Sequence, residues 1–159
     1  MTGITIKWTK RFPLNESIPS WEAAKWHGLY CISNERGATP EKPVYIGISN
    51  AEYNTISNRL KDHKKTKLPP TQGPYFVRFG QIQNQLQYTD YKQVLVIAES
   101  ALISHLINKG YNLKNKQTKR EIARESPIYI YNVGDRFCFP KSVSSNVQLE
   151  NISCQKKGS

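Results

Sequence analysis

Gly28-Leu29-Tyr30-Cys31-Ile32 and Val44-Tyr45-Ile46-Gly47-Ile48 are the two stretches whose pairing decides the fold. Both are short and apolar, and the residues between them, Ser33 to Pro43, are polar and contain Gly37, Pro40 and Pro43. Two strand-like runs joined by such a stretch predict a β-hairpin. Side chains alternate along a strand, so Val44, Ile46 and Ile48 are expected on one face of the second strand and Tyr45 and Gly47 on the other.

Asn50 follows the hairpin as a candidate cap for a helix over 51–66, with Ile56 and Leu60 as its apolar stripe and Pro69 and Pro70 as its stop. Tyr75–Ile82 alternates like a strand. Val94 to Ile107 is apolar almost all round, the pattern of a buried helix, and Gly110 suits its C′ position. Residues 111–125 read as basic and irregular or partly helical, and Ile128-Tyr129-Ile130-Tyr131 as a last strand. Before the hairpin, Ile4-Thr5-Ile6-Lys7-Trp8 reads as a weak edge strand, followed by a loop or short helix around Trp21–Trp26; the tail after Val147 reads as frayed.

The expected class is α/β (α+β): a small central antiparallel three-stranded sheet flanked by helices, decorated at both ends. The expected division is an extension over 1–27, a domain over 28–125, and a C-terminal strand and flexible tail over 126–159. At 159 residues and 38% hydrophobic content the chain suits one ordinary core.

Three cysteines, Cys31, Cys138 and Cys154, are odd in number and lack paired ligand spacing, which argues for a reducing compartment and against structural zinc. No apolar run approaches the roughly 20 residues of a membrane span, and the opening residues lack the apolar stretch of a signal peptide. A soluble cytoplasmic protein with no membrane partner is the expectation.

Charge points to a polyanion. Twenty-three Lys and Arg against 12 Asp and Glu give a formal +11 and a pI near 9.6. The excess is clustered. Arg59, Lys61, Lys64, Lys65 and Lys67 face only Asp62, while Lys109, Lys114, Lys116, Lys119, Arg120 and Arg124 face only Glu121. Such clusters suit phosphate neutralisation with counterion release, so Lys61, Lys64, Lys65, Lys67, Lys114, Lys116, Lys119 and Arg120 are candidate nucleic-acid contacts. A solvated surface or a patch for acidic lipids accounts for charge equally well, and charge does not separate DNA from RNA.

Glu99 falls in the middle of the apolar helix, with Leu95, Leu102, Ile103 and Leu106 on roughly its own face. A carboxylate buried there needs a cation, a hydrogen-bonding partner or a metal; a salt bridge to Arg59 or Lys61 is as good a reading as a metal site. Arg59 and His63, four residues apart, share one face of the first helix. That pair can hold a phosphate and relay a proton, or can be an ordinary exposed helix face.

The hairpin changes that balance. Gly28-Leu29-Tyr30 and, after fourteen intervening residues, Tyr45-Ile46-Gly47 resemble the paired motifs that name the GIY-YIG nuclease superfamily, with Leu29 in place of the usual isoleucine. In that family the second motif leads into a helix bearing an arginine and often a histidine four residues on, as with Arg59 and His63. A later helix carries a metal-binding glutamate, matched by Glu99, and an asparagine follows, matched by Asn112, with Asn115 as the other candidate.

The resemblance spans residues 28 to about 115 and implies the GIY-YIG nuclease fold and a DNA endonuclease that hydrolyses phosphodiester bonds with one Mg²⁺ (or Mn²⁺) ion per active site. It implies Glu99 as the metal ligand, Arg59 as the clamp on the scissile phosphate, Tyr30, Tyr45 and His63 as the groups that orient or deprotonate water, and Asn112 as a substrate-orienting amide. The short flanks suggest a compact, stand-alone, restriction-like enzyme acting as a homodimer or by sequential nicking. A repair or mobile-element nuclease, an RNA-cleaving enzyme and a non-catalytic nucleic-acid-binding module are the other readings.

Overall fold

The computed structural model of the chain describes residues 3–14, 28–49, 60, 68–83, 91–114 and 128–144. Within them are strands β1 (Gly3–Trp8), β2 (Phe12–Pro13), β3 (Gly28–Asn34), β4 (Lys42–Ser49), β5 (Tyr75–Ile82), β6 (Tyr129–Gly134) and β7 (Ser142–Ser144), and one α-helix, α1 (Tyr91–Asn108). The expected helix over 51–66 lies outside the described residues apart from Leu60, which is helical and fully buried.

The expected small antiparallel sheet flanked by helices is not what forms. The described chain is mostly β: six strands in the order β4-β3-β5-β1-β6-β7 make one mixed sheet curled into a half-barrel, with β2 paired against β5 and α1 the one α-helix described along its length. The difference comes from β1. Expected at an edge, it lies inside the sheet, antiparallel to β5 (Ile6 opposite Ile82) and parallel to β6 (Gly3 opposite Tyr129, Trp8 opposite Gly134). Its backbone groups are thereby paired on both sides, and β6 carries β7 beyond it.

The β3–β4 hairpin forms as its sequence predicts, with Leu29 opposite Ile48, Tyr30 opposite Gly47 and Cys31 opposite Ile46. All seven residues of β3 are buried, as befits a strand paired on both edges and covered on both faces. One detail departs from simple alternation. A bulge lets Ile32 face Tyr45 while Ser33 faces Pro43, and the extra residue is Val44. Val44 therefore packs in the cluster that holds Tyr30, whereas Ile46 packs in the opposite one.

These two clusters are the two sides of the sheet. One gathers Ile4, Ile6 and Trp8 of β1, Leu29 and Cys31 of β3 and Ile46 of β4 beneath Leu95, Ala98, Leu102 and Leu106 of α1. Each fully buried Leu or Ile side chain there contributes roughly 1.5–3 kcal/mol, so the helix is held by packing rather than by helix propensity. The other side gathers Leu14, Tyr30, Ile32, Val44, Leu60, Leu68, Val77 and Phe79, with Phe12, Tyr45 and Tyr75 at its margin.

Helix α1 ends as expected at Gly110, in the left-handed region at φ 95°. Gly110 N–H donates to Ile107 O (3.0 Å) and Tyr111 N–H to Leu106 O (3.1 Å), a paired closure that satisfies the last carbonyls and turns the chain. The next residues run along β4, where Leu113 is buried and Lys114 N–H donates to Val44 O at 2.8 Å. Among the described residues no helix is long and apolar enough to cross a membrane.

Candidate functional site

Tyr30 and Tyr45 come together. Pairing of β3 with β4 puts Tyr30 opposite Gly47 and Tyr45 opposite Ile32, so both rings project from the same side of the hairpin. Their centroids are 6.0 Å apart and their planes differ by 16°. Gly47 makes room for this: a Cβ at that position would overlap the end of the Tyr30 ring. Tyr30 is 1% exposed while Tyr45 is half-buried, so Tyr45 is the partly solvent-facing member of the pair. Leu60, next in sequence to Arg59, is packed in the same cluster. Arg59 and His63 themselves lie outside the described residues, as do Lys61, Lys64, Lys65, Lys67, Asn115, Lys116, Lys119 and Arg120.

Glu99 sits midway along α1 and is half-buried, not enclosed as its apolar neighbours suggest, although Leu95, Leu102, Ile103 and Leu106 are all buried. These four belong to the Leu29–Cys31–Ile46 side of the sheet, opposite the Tyr30 side. Among the described residues no group of three or more His, Cys, Asp or Glu side chains gathers into a metal site. Asn112 is exposed and lies with Leu113 and Lys114 along the outer edge of β4.

Asn112 and Lys114 help to line a cleft of about 870 Å³ at the tip of the hairpin. Arg36 and Lys42 line it from the hairpin, Asn34 from the end of β3, and Gln72 from the chain before β5. Sequence reading passed over Arg36 and Lys42, because Ser33 to Pro43 looked like a plain connecting loop. Their signal was positive charge on both sides of a glycine turn.

The carboxylates of that loop are engaged elsewhere. Arg78, 5% exposed on β5, holds Glu41 through Nη1 to Oε2 (2.5 Å) and Nη2 to Oε1 (3.3 Å). Ser33 donates its hydroxyl to the same Oε2 at 2.5 Å. Arg11 Nη1 donates to both Glu41 (3.0 Å) and Glu35 (2.7 Å). Burial alone would raise the Glu41 pKa. Hydrogen bonds from Arg78 and Ser33, with the charges of Arg78 and Arg11, outweigh it and bring it below the ordinary glutamate value. The Arg78 guanidinium also stacks 4.1 Å from the Phe137 ring and lies 3.6 Å from Asp135 Oδ1. This network binds the hairpin to β5 and the 135–139 turn, and its compensated charges are structural.

Beside it, Cys31 is fully buried, and its thiol meets that of Cys138, half-buried in the same turn. The Cys138 hydrogen bond first, and burial next, push the Cys31 pKa well above that of a free thiol. A nucleophilic role does not suit it.

No family model, no curated protein and no solved structure matches the chain.

Proposed function

We propose that the chain is a cytoplasmic, metal-dependent DNA endonuclease with a site similar to that of the GIY-YIG superfamily, carried on a larger mixed sheet. The observation that carries the proposal is the stacked Tyr30–Tyr45 pair over Gly47 on neighbouring strands. The ordered set Arg59, His63, Glu99 and Asn112 further along the chain supports it, as does Leu60, packed in the tyrosine cluster one residue after Arg59.

Each residue then has a task. Arg59 grips the scissile phosphate in a two-pronged hydrogen bond and stabilises charge as it builds. Tyr45, partly solvent-facing, offers its hydroxyl to the attacking water, with Tyr30 behind it holding the ring in place and His63 as the alternative proton acceptor. The water oxygen bonds to phosphorus, one ester P–O bond breaks, and the departing oxygen takes a proton. Asn112 orients the strand.

A half-buried glutamate with access to water fits a hard cation that keeps most of its hydration shell, so Glu99 would hold one Mg²⁺ or Mn²⁺. Because its helix packs on the side of the sheet opposite Tyr30 and Tyr45, the phosphate would have to be met from both sides at the sheet edge. When bound, such an ion supplies positive charge to the phosphate and acidifies coordinated water.

Incubation with supercoiled plasmid and Mg²⁺, beside Glu99→Gln and Arg59→Ala, tests the reading. Wild type should nick or linearise the plasmid and both variants should lose that activity. Cleavage by Glu99→Gln at the wild-type rate overturns the metal assignment. Binding by all three proteins without cleavage under any divalent metal makes the chain a nucleic-acid-binding module instead. Discrete fragments indicate a restriction-like enzyme, and linear product tracking a dimer in sedimentation supports two-strand cutting.

A further inference from the structure

The cleft at the hairpin tip has chemistry of its own. Three of its lining residues, Arg36, Lys42 and Lys114, are cationic, and no lining residue is acidic. The nearby Glu35 and Glu41 are committed to Arg11 and Arg78, so they do not neutralise it. At about 870 Å³ the hollow lies in the ~300–1,000 Å³ range of sites that enclose an organic ligand rather than a bare ion.

Its wall also contains an unsatisfied acceptor. Asn34 is 6% exposed; its Nδ2 donates to Gln72 O at 3.2 Å, while its buried Oδ1 has no hydrogen-bond partner among the described residues. A buried amide oxygen without a donor is costly, and a turn of the enclosed Asn34 amide toward the cleft, where a ligand N–H would meet it, would relieve that cost.

We propose that this cleft binds one phosphate-bearing nucleotide of an unpaired nucleic-acid strand, with Arg36, Lys42 and Lys114 on the phosphate and Asn34 and Asn112 facing the base. The proposal rests on the nucleic-acid part of the preceding reading and not on cleavage. A cleft with cations from two separate chain segments and amides in its wall suits a strand whose base has left the stack, since a paired base is not free to enter it.

The test is anisotropy of a labelled single-stranded oligodeoxynucleotide of about eight residues, in EDTA, over a range of salt. The combined variant Arg36→Ala/Lys42→Ala/Lys114→Ala is compared with the control Lys7→Ala/Lys10→Ala/Lys141→Ala, which removes equal charge from exposed positions elsewhere. The cleft variant should bind about tenfold or more weakly than the control, with its salt slope reduced by about 0.7, the release expected for one neutralised single-strand phosphate. Equal loss in the two variants, or no loss in the cleft variant, overturns the proposal. All six substitutions are at exposed positions, and matching thermal melts exclude unfolding as the cause.

Competition with a nucleoside monophosphate separates a strand from a free nucleotide. Displacement only by excess oligonucleotide supports the strand; displacement by the mononucleotide at equal concentration overturns it in favour of a small-molecule site. Plasmid nicking, measured separately, distinguishes the two readings. Nicking with unchanged oligonucleotide binding in the cleft variant defeats the cleft alone, and lost binding in a protein that never nicks defeats the nuclease alone.

Discussion

Tyr30 lies across the bare backbone of Gly47, its cross-strand partner, with no room for even a methyl group between them. Gly47→Ala must therefore push the Tyr30 ring out of a fully buried position, and through it disturb Tyr45. Overpacking of this kind costs about 1–3 kcal/mol. Urea unfolding should show that loss, and nicking should fall at temperatures where the variant remains folded. Wild-type stability in Gly47→Ala would mean that the ring moves aside freely and is not held for use.

Glu41 and Arg78 make a second prediction. Both side chains are largely buried, 13% and 6% exposed, so Glu41→Ala leaves a guanidinium enclosed beside only the more distant Asp135. Breaking such a pair costs about 3–5 kcal/mol, read from the denaturation midpoint.

The sign of its pH dependence follows from the lowered Glu41 pKa. A carboxylate held below its unfolded value of about 4.3 stabilises the fold above that pH and loses its contribution as pH falls through the lower folded value. Acid unfolding curves of wild type and Glu41→Gln should converge in that window. Parallel curves would show that Glu41 contributes nothing to acid stability.

Ser100 and Ser104 point to a gain in stability. Both are buried on α1, 4% and 1% exposed, and neither hydroxyl has a hydrogen-bond partner among the described residues. Alanine removes an unsatisfied group and favours the helix, so each substitution should stabilise by about 1 kcal/mol, or roughly 2–4 °C in melting temperature. A lower melting temperature in Ser104→Ala would reveal a partner for that hydroxyl.

Thiol labelling checks the core around Cys31. Its burial and raised pKa predict no reaction with a disulfide reagent at about pH 8 in the native protein, with full reaction after denaturation. Cys138, half-buried, should label ahead of Cys31, as peptide mass spectrometry would show. Prompt native labelling of Cys31 would mean that the sheet opens at β3.

The hairpin, β5 and α1 were legible because each announces itself locally: alternation in Tyr75–Ile82, near-continuous apolarity in Val94–Ile107, and a closing glycine at Gly110. The place of β1 was not. Thr5 and Lys7, on its less buried face, look like an edge, and nothing in Ile4-Thr5-Ile6-Lys7-Trp8 reports a parallel partner at 129–134. Of the candidate site, the tyrosine pair was legible through motif order. The half-exposure of Glu99 was not, since a helix that is apolar in sequence still has sides, and the residues of the sheet beneath decide which is covered. Arg36 and Lys42 were hidden by their loop, because charge becomes a site only when a fold gathers it around a hollow.

The parallel pairing of β1 with β6 also governs the order of events at the ribosome. β1 is synthesised early and finds β5 once residues 75–82 emerge, but its other edge waits for 129–134. Until then a strand carrying Ile4, Ile6 and Trp8 has unpaired N–H and C=O groups along one side, a template for wrong partners. Completion of the sheet is therefore late and non-local, which slows folding and exposes the nascent protein to aggregation. A chain stalled before residue 129 would be the form most in need of a chaperone.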